Sequence, residues 1–342
     1  MKRFITITTI LMLILTLIVP SSVIAKDELM TFPGFVTSDD QLRYYESQED
    51  FDSNNPVKGQ VVIDGYTYYF STEDGHALSG WVGKAYYDKD FHMVKGWKTI
   101  EGKTYYFNKK TGNKTTGLVK IGSGKSALVC TFTKKGVLSR KLYASKKSIC
   151  LTFDDGPSSS TTRVLNTLAN YGAKATFFMV GNRCKSYKNT CKKVSQAGHQ
   201  VACHTYSHAW LKDLSASGVS SQMKKGKNSI KKYTGVSPIV CRTPGGQNTK
   251  TIRNNVGMPI ILWSVDTMDW SHRNPSITLR KVKEGAKNGA IVLMHDLYST
   301  TADAVPKICK YLKGKGYQMV TINEMALLKG KKLKAGKVYF SL

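Results

Sequence analysis

The chain has 342 residues, of which 51 are Lys or Arg and 23 are Asp or Glu, so its formal net charge is +28. This length suits two domains, and an apolar content of 41% excludes a wholly disordered chain. The positive charge favours anionic partners such as cell-wall polymers, a membrane surface or nucleic acid, but says nothing about the fold.

The first 25 residues have the pattern of a secretory signal peptide. Lys2 and Arg3 precede an apolar run at 4–19, which is short for a membrane span, and small residues lead up to Ala25. Cleavage after Ala25 would leave a secreted protein without a stable membrane span, whereas an uncleaved segment would act as an N-terminal anchor. Both alternatives place the remaining chain outside the cytoplasm, which argues against nucleic acid as its partner.

Two different segments follow the signal. Residues 26–60 are acidic and without clear periodicity, which predicts a linker, whereas residues 61–142 repeat a short aromatic motif. Successive copies begin at Gly65, Gly83 and Gly102. A glycine turn followed by alternating aromatic residues predicts β-hairpins, and a single hairpin must stack on its neighbours to bury its aromatic face. The sequence therefore predicts a solenoid-like array of hairpins.

The repeated pattern G-W-x-x-x-x-G-K-x-Y-Y-F resembles the choline-binding-type, cell-wall-binding repeats of bacterial surface proteins. In that family, aromatic residues of adjacent hairpins form a cage for a quaternary ammonium group. The resemblance implies attachment to bacterial cell-wall polymers. The candidate wall-binding residues are Trp81, Trp97, Tyr69, Tyr87 and Tyr106. Leu118 replaces the third Trp and Asp88 replaces a Phe, and the alternative is that the aromatic residues only form the core of the stack.

Residues 143–335 have the pattern of an α/β domain. The apolar run at 148–153 predicts a strand that ends at Asp154 and Asp155, and residues 163–171 predict the helix after it. Further strands are predicted at 175–180, 200–203, 259–265 and 290–294. Polar residues follow these strands, which predicts a parallel β/α barrel or sheet with a site at the carboxyl ends of its strands.

The polar residues at the strand ends suggest metal chemistry. His204 and His208 are separated by three residues, and with Asp155 from another strand end they make a three-ligand set that suits zinc and leaves a position open. Asp154 is then the candidate base, and His295 could return a proton to a leaving group. These acids are conspicuous because residues 126–342 hold only nine acidic residues against 36 Lys and Arg.

Five motifs in this segment resemble, together and in order, those of the polysaccharide deacetylase family with the NodB homology domain, carbohydrate esterase family 4. They are TFDDGP at 152–157, HTYSH at 204–208, RTPGG at 242–246, DTMDW at 266–270 and LMH at 293–295. The resemblance covers about residues 145–330. It implies a distorted (β/α) barrel that hydrolyses an N-acetyl group on an amino sugar or, in some members, an O-acetyl group on a polysaccharide.

The resemblance also implies roles for individual residues, beginning with the reacting groups. Asp155, His204 and His208 would bind a divalent metal, usually zinc. Asp154 would be the general base that activates the metal-bound water, and His295 would be the general acid that protonates the departing amine.

Further residues would support these groups. Arg242 would hold Asp154, and Asp266 would orient His295 or Arg242. The substrate-binding candidates are Trp270 and Leu293, which would wall the groove for the acetyl methyl group, and Gly245, near which a backbone N–H would face the oxyanion. Some members have a Tyr where this chain has Gly245.

The sequence gives little support for a cysteine or serine nucleophile. Of the seven cysteines, Cys184 and Cys191 are close enough in sequence to bridge, and export would permit it. Cys203 and Cys241 adjoin motif residues, and we predict that they are buried thiols rather than nucleophiles. The chain has no GxSxG motif, so it lacks the pattern of a serine esterase.

Three hypotheses about function remain. The first is a secreted deacetylase of peptidoglycan that its repeats hold at the bacterial cell wall. The second is the same chemistry on chitin-like or acetylated plant polysaccharide. The third is a catalytically silent wall-binding surface protein. A nucleic-acid binder has little support, because the lysines are spread along the chain without a nucleic-acid motif.

Overall fold

The computed structural model describes residues 31–342, so the predicted signal peptide at 1–25 lies outside the described residues. The chain divides into two compact units, one that ends at Val94 and one that spans Lys95–Leu342. None of the helices in residues 31–342 is both long and apolar enough to cross a membrane.

The described part of the first unit, residues 31–94, contains three antiparallel hairpins and a short helix. The hairpins pair β1 (Gly34–Ser38) with β2 (Gln41–Tyr45), β3 (Gly59–Ile63) with β4 (Tyr66–Phe70), and β5 (Gly80–Val82) with β6 (Ala85–Tyr87); α1 (Gln48–Asp52) follows β2. In the β3–β4 hairpin, Asp64 and Gly65 form a two-residue turn in which both φ angles are positive, as a type I′ turn requires. The predicted glycine-turn hairpins are therefore present.

Part of the predicted linker is folded. The segment 34–52 lies within residues 26–60, yet it forms β1, β2 and α1. The ring of Phe35 lies 4.9 Å from that of Tyr44 and 5.2 Å from that of Tyr68, so this segment packs on the next hairpin. The linker was predicted from the acidic composition, which does not show that the aromatic residues of this segment can pack together.

The aromatic residues of the repeats divide between core and surface. Tyr87 is buried, Tyr69 and Tyr106 are half-buried, and Trp81 and Trp97 are exposed. The departure at Asp88 has a local cause, because its Oδ1 accepts backbone N–H groups from two residues of the following turn at 3.0 and 2.9 Å. An aspartate closes a turn in this way and a phenylalanine cannot.

The second unit begins with more antiparallel strands. A hairpin pairs β7 (Gly96–Ile100) with β8 (Lys103–Phe107), and a three-stranded sheet contains β9 (Gly117–Ile121), β10 (Leu128–Phe132) and β11 (Leu138–Tyr143). Leu118 lies on β9 and packs against an apolar cluster that includes Val240 and Ile261. This packing accounts for a leucine at the position of the third Trp.

The α/β region follows β11. Its strands are β12 (Ser148–Asp154), β13 (Thr176–Met179), β14 (Gln200–Cys203), β15 (Ile260–Ile261), β16 (Val265–Asp266), β17 (Ile291–His295), β18 (Gln318–Met319) and β19 (Val338–Tyr339). Its helices are α2 (Thr161–Asn170), α3 (Lys188–Gln196), α4 (Ala216–Thr234), α5 (Lys250–Asn255), α6 (Asp269–His272), α7 (Pro275–Gly285), α8 (Ser299–Gly314) and α9 (Ile322–Leu328).

The strands of this region pair in parallel. The main sheet has the order β14-β13-β12-β17-β16, β18 pairs with the start of β12, and β15 pairs with β19. Cys241 forms single parallel bridges to Cys203 and Ile260, which connects β14 to β15. The predicted α/β class is confirmed, and the strand ladders among residues 31–342 form an open path rather than a closed barrel.

The run at 259–265 was predicted as one strand but forms two, β15 and β16. At the end of β15, the guanidinium of Arg242 donates hydrogen bonds to the carbonyl oxygens of Ile261 at 2.8 Å and of Leu262 at 2.9 Å. These carbonyls are then occupied by a side chain, and the strand is interrupted where the guanidinium inserts.

The seven cysteines are all buried and free in this structure. The bridge between Cys184 and Cys191 that the sequence permits is not formed, although Sγ of Cys191 lies 3.9 Å from the carbonyl oxygen of Cys184. Burial raises the pKa of Cys203 to about 12 and that of Cys241 well above its usual range. These thiols therefore remain protonated at neutral pH, as predicted for residues that are not nucleophiles.

Candidate metal centre and catalytic site

Three side chains from two strand ends converge on one point. Asp155 follows β12, and His204 and His208 follow β14, two strands that lie on either side of β13. The Nε2 atoms of His204 and His208 lie 3.2 and 3.1 Å from Oδ1 of Asp155. One potential ligand atom from each residue lies within 4.8 Å of the others. Parallel strands thus bring together the metal triad, as we call Asp155, His204 and His208, that the motifs predicted.

The loop that carries the two histidines is held by helix α4. Oε1 of Gln222 accepts two backbone N–H groups from the middle of the loop, each at 3.1 Å. Gly226 allows the helix to approach, because a Cβ there would lie 2.6 Å from the carbonyl oxygen of Thr205. Asp155 and His208 both have positive φ angles, 68° and 58°, a strained conformation that surrounding structure must impose.

The donor atoms of the triad fit a cation. Nδ1 of His204 lies 2.7 Å from the carbonyl oxygen of Arg242, which can only accept, so Nδ1 carries a proton and Nε2 points at Asp155. Oδ1 of Asp155 is buried and, apart from the two imidazole nitrogens at 3.2 and 3.1 Å, has no hydrogen-bond partner among the described residues. Burial lowers the pKa of His204, but the carboxylates of Asp154 and Asp155 raise it more. Positive charge is therefore favoured here, and imidazole with carboxylate suits a divalent cation.

Asp154 is fixed by a buried arginine. Nη1 of Arg242 donates to Oδ1 of Asp154 at 2.7 Å and to Oγ1 of Thr152 at 2.8 Å. Both Asp154 and Arg242 are buried, with 3% and 0% of their surface exposed. The other guanidinium nitrogens donate to the carbonyls of Ile261 and Leu262, so all three nitrogens of this side chain are hydrogen-bonded.

The second oxygen of Asp154 faces the metal triad. Its Oδ2 lies 3.8 Å from Nε2 of His204, whereas its Oδ1 is held by Arg242. One carboxylate oxygen is thus anchored and the other lies next to the candidate cation position. This division of the two oxygens suits a group that accepts a proton from a molecule in the site.

The partner of His295 is Asp269, the second acid of the DTMDW motif. Asp266 was predicted to orient His295 or Arg242, but Oδ1 of Asp269 lies 2.8 Å from Nδ1 of His295, and its Oδ2 accepts the backbone N–H of His295 at 2.8 Å. Asp266 accepts the backbone N–H of Met268 at 2.9 Å, and its charge acts on Arg242, the second of its two predicted partners. Met268 has a positive φ of 55°, and the chain reversal there lets the second acid of the motif reach β17.

The two members of this pair perturb each other. Burial alone would lower the pKa of His295, but the hydrogen bond and the charge of Asp269 raise it to about 9. Burial would likewise raise the pKa of Asp269, but His295 lowers it below its ordinary value. Thr301 donates a further hydrogen bond of 2.6 Å to Asp269. His295 is therefore protonated at neutral pH and free to present Nε2, the arrangement a proton donor needs.

Sequence reasoning missed Asp296, although its place beside a histidine and the scarcity of acids pointed to it. This aspartate is buried, and burial raises its pKa to about 7. Thr161 donates to its Oδ2, and Oγ of Ser158 donates to its carbonyl oxygen at 2.5 Å. Asp296 thus ties the loop after Asp155 to the end of β17, the strand that carries His295.

The predicted groove residues lie in different environments. Trp270, on α6, is 47% exposed, and Leu293, on β17, is buried. Gly245 has a positive φ of 61° and is approached by Trp210, a second residue that the motifs did not indicate. The molecule is thus an α/β protein with a candidate metal site beside a buried carboxylate–arginine pair and a histidine–carboxylate pair.

Comparison with known proteins identifies this architecture. Residues 141–258 match the model of the polysaccharide deacetylase family, and residues 83–118 match that of the choline-binding repeat. A solved structure described as "T48 deacetylase with substrate" is 36% identical, with a TM-score of 0.56, over 57% of this chain and 98% of that one. The chain belongs to the polysaccharide deacetylase family.

Two curated relatives carry named substrates. Peptidoglycan-N-acetylglucosamine deacetylase PgdA of Listeria monocytogenes serotype 1/2a is 44% identical over 197 residues, which are 57% of this chain and 42% of the relative. Peptidoglycan-N-acetylmuramic acid deacetylase PdaC of Bacillus subtilis is 37% identical over 186 residues, 54% of this chain and 40% of the relative. The chain thus spans less than half the length of these relatives.

Proposed function

We propose that this chain is a secreted, metal-dependent deacetylase that removes N-acetyl groups from the amino sugars of peptidoglycan. The observation that carries the proposal is the convergence of the metal triad, the half-anchored carboxylate of Asp154 and the protonated His295 at neighbouring strand ends. The named activities of PgdA and PdaC support peptidoglycan as the substrate. Both relatives act on peptidoglycan but on different sugars, so we propose the polymer rather than one sugar.

Each reacting proton has a side chain to move it. Zinc held by the triad would act as a Lewis acid toward the acetyl oxygen and would acidify a water molecule. Oδ2 of Asp154 accepts a proton from the water whose oxygen attacks the acetyl carbon, while Arg242 keeps the carboxylate in place. His295 donates a proton to the sugar nitrogen as the carbon–nitrogen bond breaks. The products are acetate and a free amine, and the backbone N–H near Gly245 would stabilise the developing oxyanion.

The proposal extends to the surroundings of the site. Trp270 and Leu293 would wall the groove that takes the acetyl methyl group. The fold would be a distorted barrel, since β15 and β16 lie toward opposite ends of the strand path but are separated by only three residues. A strand path with such ends must curl back on itself.

The N-terminal hairpins would hold the enzyme at its substrate. The match to the choline-binding repeat and the exposed Trp81 and Trp97 support a wall-binding role for a solenoid-like stack. The net charge of +28 favours association with anionic cell-wall polymers. The enzyme would then act on polymer that the repeats keep close by.

Metal removal tests the proposed function. Residues 26–342 should release acetate from purified peptidoglycan, lose this activity in the presence of a chelator and regain it when zinc is restored, because the triad leaves Asp154 without an activated water when empty. Acetate is measured enzymatically. Chitin oligomers and acetylated xylan serve as comparison substrates. Chelator-sensitive release from these alone would move the substrate away from the wall, and no release from any of them would contradict the proposal.

The rate should also depend on the protonation of His295. Because the acid form donates the proton and its pKa is about 9, kcat should fall as the pH rises toward and beyond 9. Asp269→Asn removes the charge that raises this pKa and leaves burial, which lowers it, so the fall should begin at least about one pH unit lower. The profile of acetate release from pH 5 to 10 measures this. Glu284→Gln, which changes an exposed carboxylate on α7, is the control. Coincident alkaline limbs in the two variants would remove His295 from the role of acid.

A further inference from the structure

Trp210 is an exposed aromatic residue beside the site. It follows His208 by two residues and precedes a 3₁₀ turn at Leu211–Asp213. Its side chain is 53% exposed, and among the aromatic residues of the α/β region only Phe340, at 55%, is more exposed. An exposed indole next to a catalytic centre offers a flat apolar face that a ligand can contact.

The indole occupies the space of a missing side chain. A Cβ at Gly245 would lie 2.5 Å from Cζ3 of Trp210 and 2.8 Å from Cη2, so the six-membered ring lies against the Gly245 backbone. The backbone N–H of Lys212 donates to Oε1 of Gln247 at 2.9 Å and ties the two loops together. A side chain at residue 245 would need the space that the ring fills, so glycine makes room for Trp210, and the hydrogen bond holds the two loops next to each other.

Both loops reach directly into the catalytic site. Trp210 follows a residue of the metal triad by two positions, which limits the separation of their Cα atoms to about 7 Å. Gly245 follows Arg242, the partner of Asp154, by three positions. The indole thus lies at the rim of the site, on the side built by the second and third motifs.

We propose that Trp210 and Gly245 form a subsite for a pyranose ring of the polysaccharide, the sugar adjacent to the one that loses its acetyl group. The C–H bonds on one face of a pyranose pack against an aromatic ring, whose face carries partial negative charge. The indole brings this surface with few rotatable bonds, so little entropy is lost on binding. The inference rests on the proposed function, because it places the sugar chain next to the deacetylation site.

The test compares a sugar oligomer with a substrate that has no sugar. For the pentamer of N-acetylglucosamine, Trp210→Ala should raise KM about tenfold with little change in kcat, in line with the loss of one stacked ring. For 4-nitrophenyl acetate, which has no pyranose, kcat/KM should stay within about twofold. Trp210→Phe should retain most of the affinity. Phe340→Ala, which removes another exposed aromatic ring, is the matched control and should change neither substrate.

Two results would overturn the subsite. One is an unchanged KM for the pentamer in Trp210→Ala. The other is a parallel loss on 4-nitrophenyl acetate, which would show that the indole only supports the loop that carries His208. Calorimetric titration of the pentamer into chelator-treated protein measures binding without turnover. In this titration, a tenfold weaker affinity of Trp210→Ala supports the subsite even if the parent protein releases no acetate. Failure of the subsite is therefore distinguishable from failure of the proposed function.

Discussion

Asp154→Asn is expected to lower the rate of acetate release from peptidoglycan by about 10²–10⁴-fold, the usual contribution of a positioned general base. The amide oxygen of asparagine can still accept the hydrogen bond from Nη1 of Arg242, now 2.7 Å from Oδ1 of the carboxylate, so the side chain should stay in place. It cannot take up a proton, however, and water would have to lose its proton without help. The rate is measured per mole of folded, zinc-loaded protein.

The control is a carboxylate outside the site. Asp303 pairs with Arg163 on the surface at 2.5 Å, and both side chains are about half exposed, so Asp303→Asn should leave the rate unchanged. Zinc content measured by atomic absorption should match the parent in both variants, because the triad is intact. A rate for Asp154→Asn above one tenth of the parent, with normal zinc content, would assign the proton transfer to another group.

The metal triad was predictable because its signals are local in sequence. Asp154 and Asp155 end an apolar run, and His204 and His208 directly follow another, so the strand pattern alone places them at one edge of a parallel sheet. Strand β13 lies between β12 and β14, the two strands that contribute the triad. Parallel β/α topology places the carboxyl ends of these strands at the same edge of the sheet.

The partner of His295 could not be predicted in this way. Asp266 and Asp269 belong to one motif, and the family resemblance implied that the first acid, at a strand end, orients His295 or Arg242. The choice depends on the positive φ of Met268 and on the start of α6, which turn the second acid toward β17. The backbone conformation of Met268 thus decides which of the two acids reaches His295. A positive φ at a residue other than glycine cannot be recognised from the sequence.

Contacts between distant segments account for the other differences. The strand predicted at 259–265 is interrupted by Arg242, which lies 19 residues from Ile261 in sequence. In the predicted linker, the ring of Phe35 packs against that of Tyr68, which lies 33 residues later in the sequence. Periodicity describes a segment by itself, whereas these features depend on which segment lies next to it.

The buried arginine should have the largest effect on stability. Arg242→Met is expected to lower the free energy of unfolding by about 3–5 kcal/mol, because it leaves the buried carboxylate of Asp154 without its counter-charge. It also deprives the carbonyls of Ile261 and Leu262 of their donors. Urea titration followed by circular dichroism measures this change. Arg253→Met, an exposed arginine on α5, is the matched control and should cost less than about 1 kcal/mol.

Two further variants separate charge from shape. Arg242→Lys keeps a positive charge but cannot reach four acceptors in the fixed geometry of a guanidinium, so it should remain well below the parent in stability. The double variant Arg242→Met with Asp154→Leu removes both charges and should be more stable than Arg242→Met alone, because a buried charge without a partner costs more than an apolar pair. Equal stability of the single and double variants would show that the unpaired carboxylate is not the source of the loss. The loss of stability would then come from the carbonyls of Ile261 and Leu262. Arg242 would stabilise the fold through its hydrogen bonds to the interrupted strand rather than through Asp154.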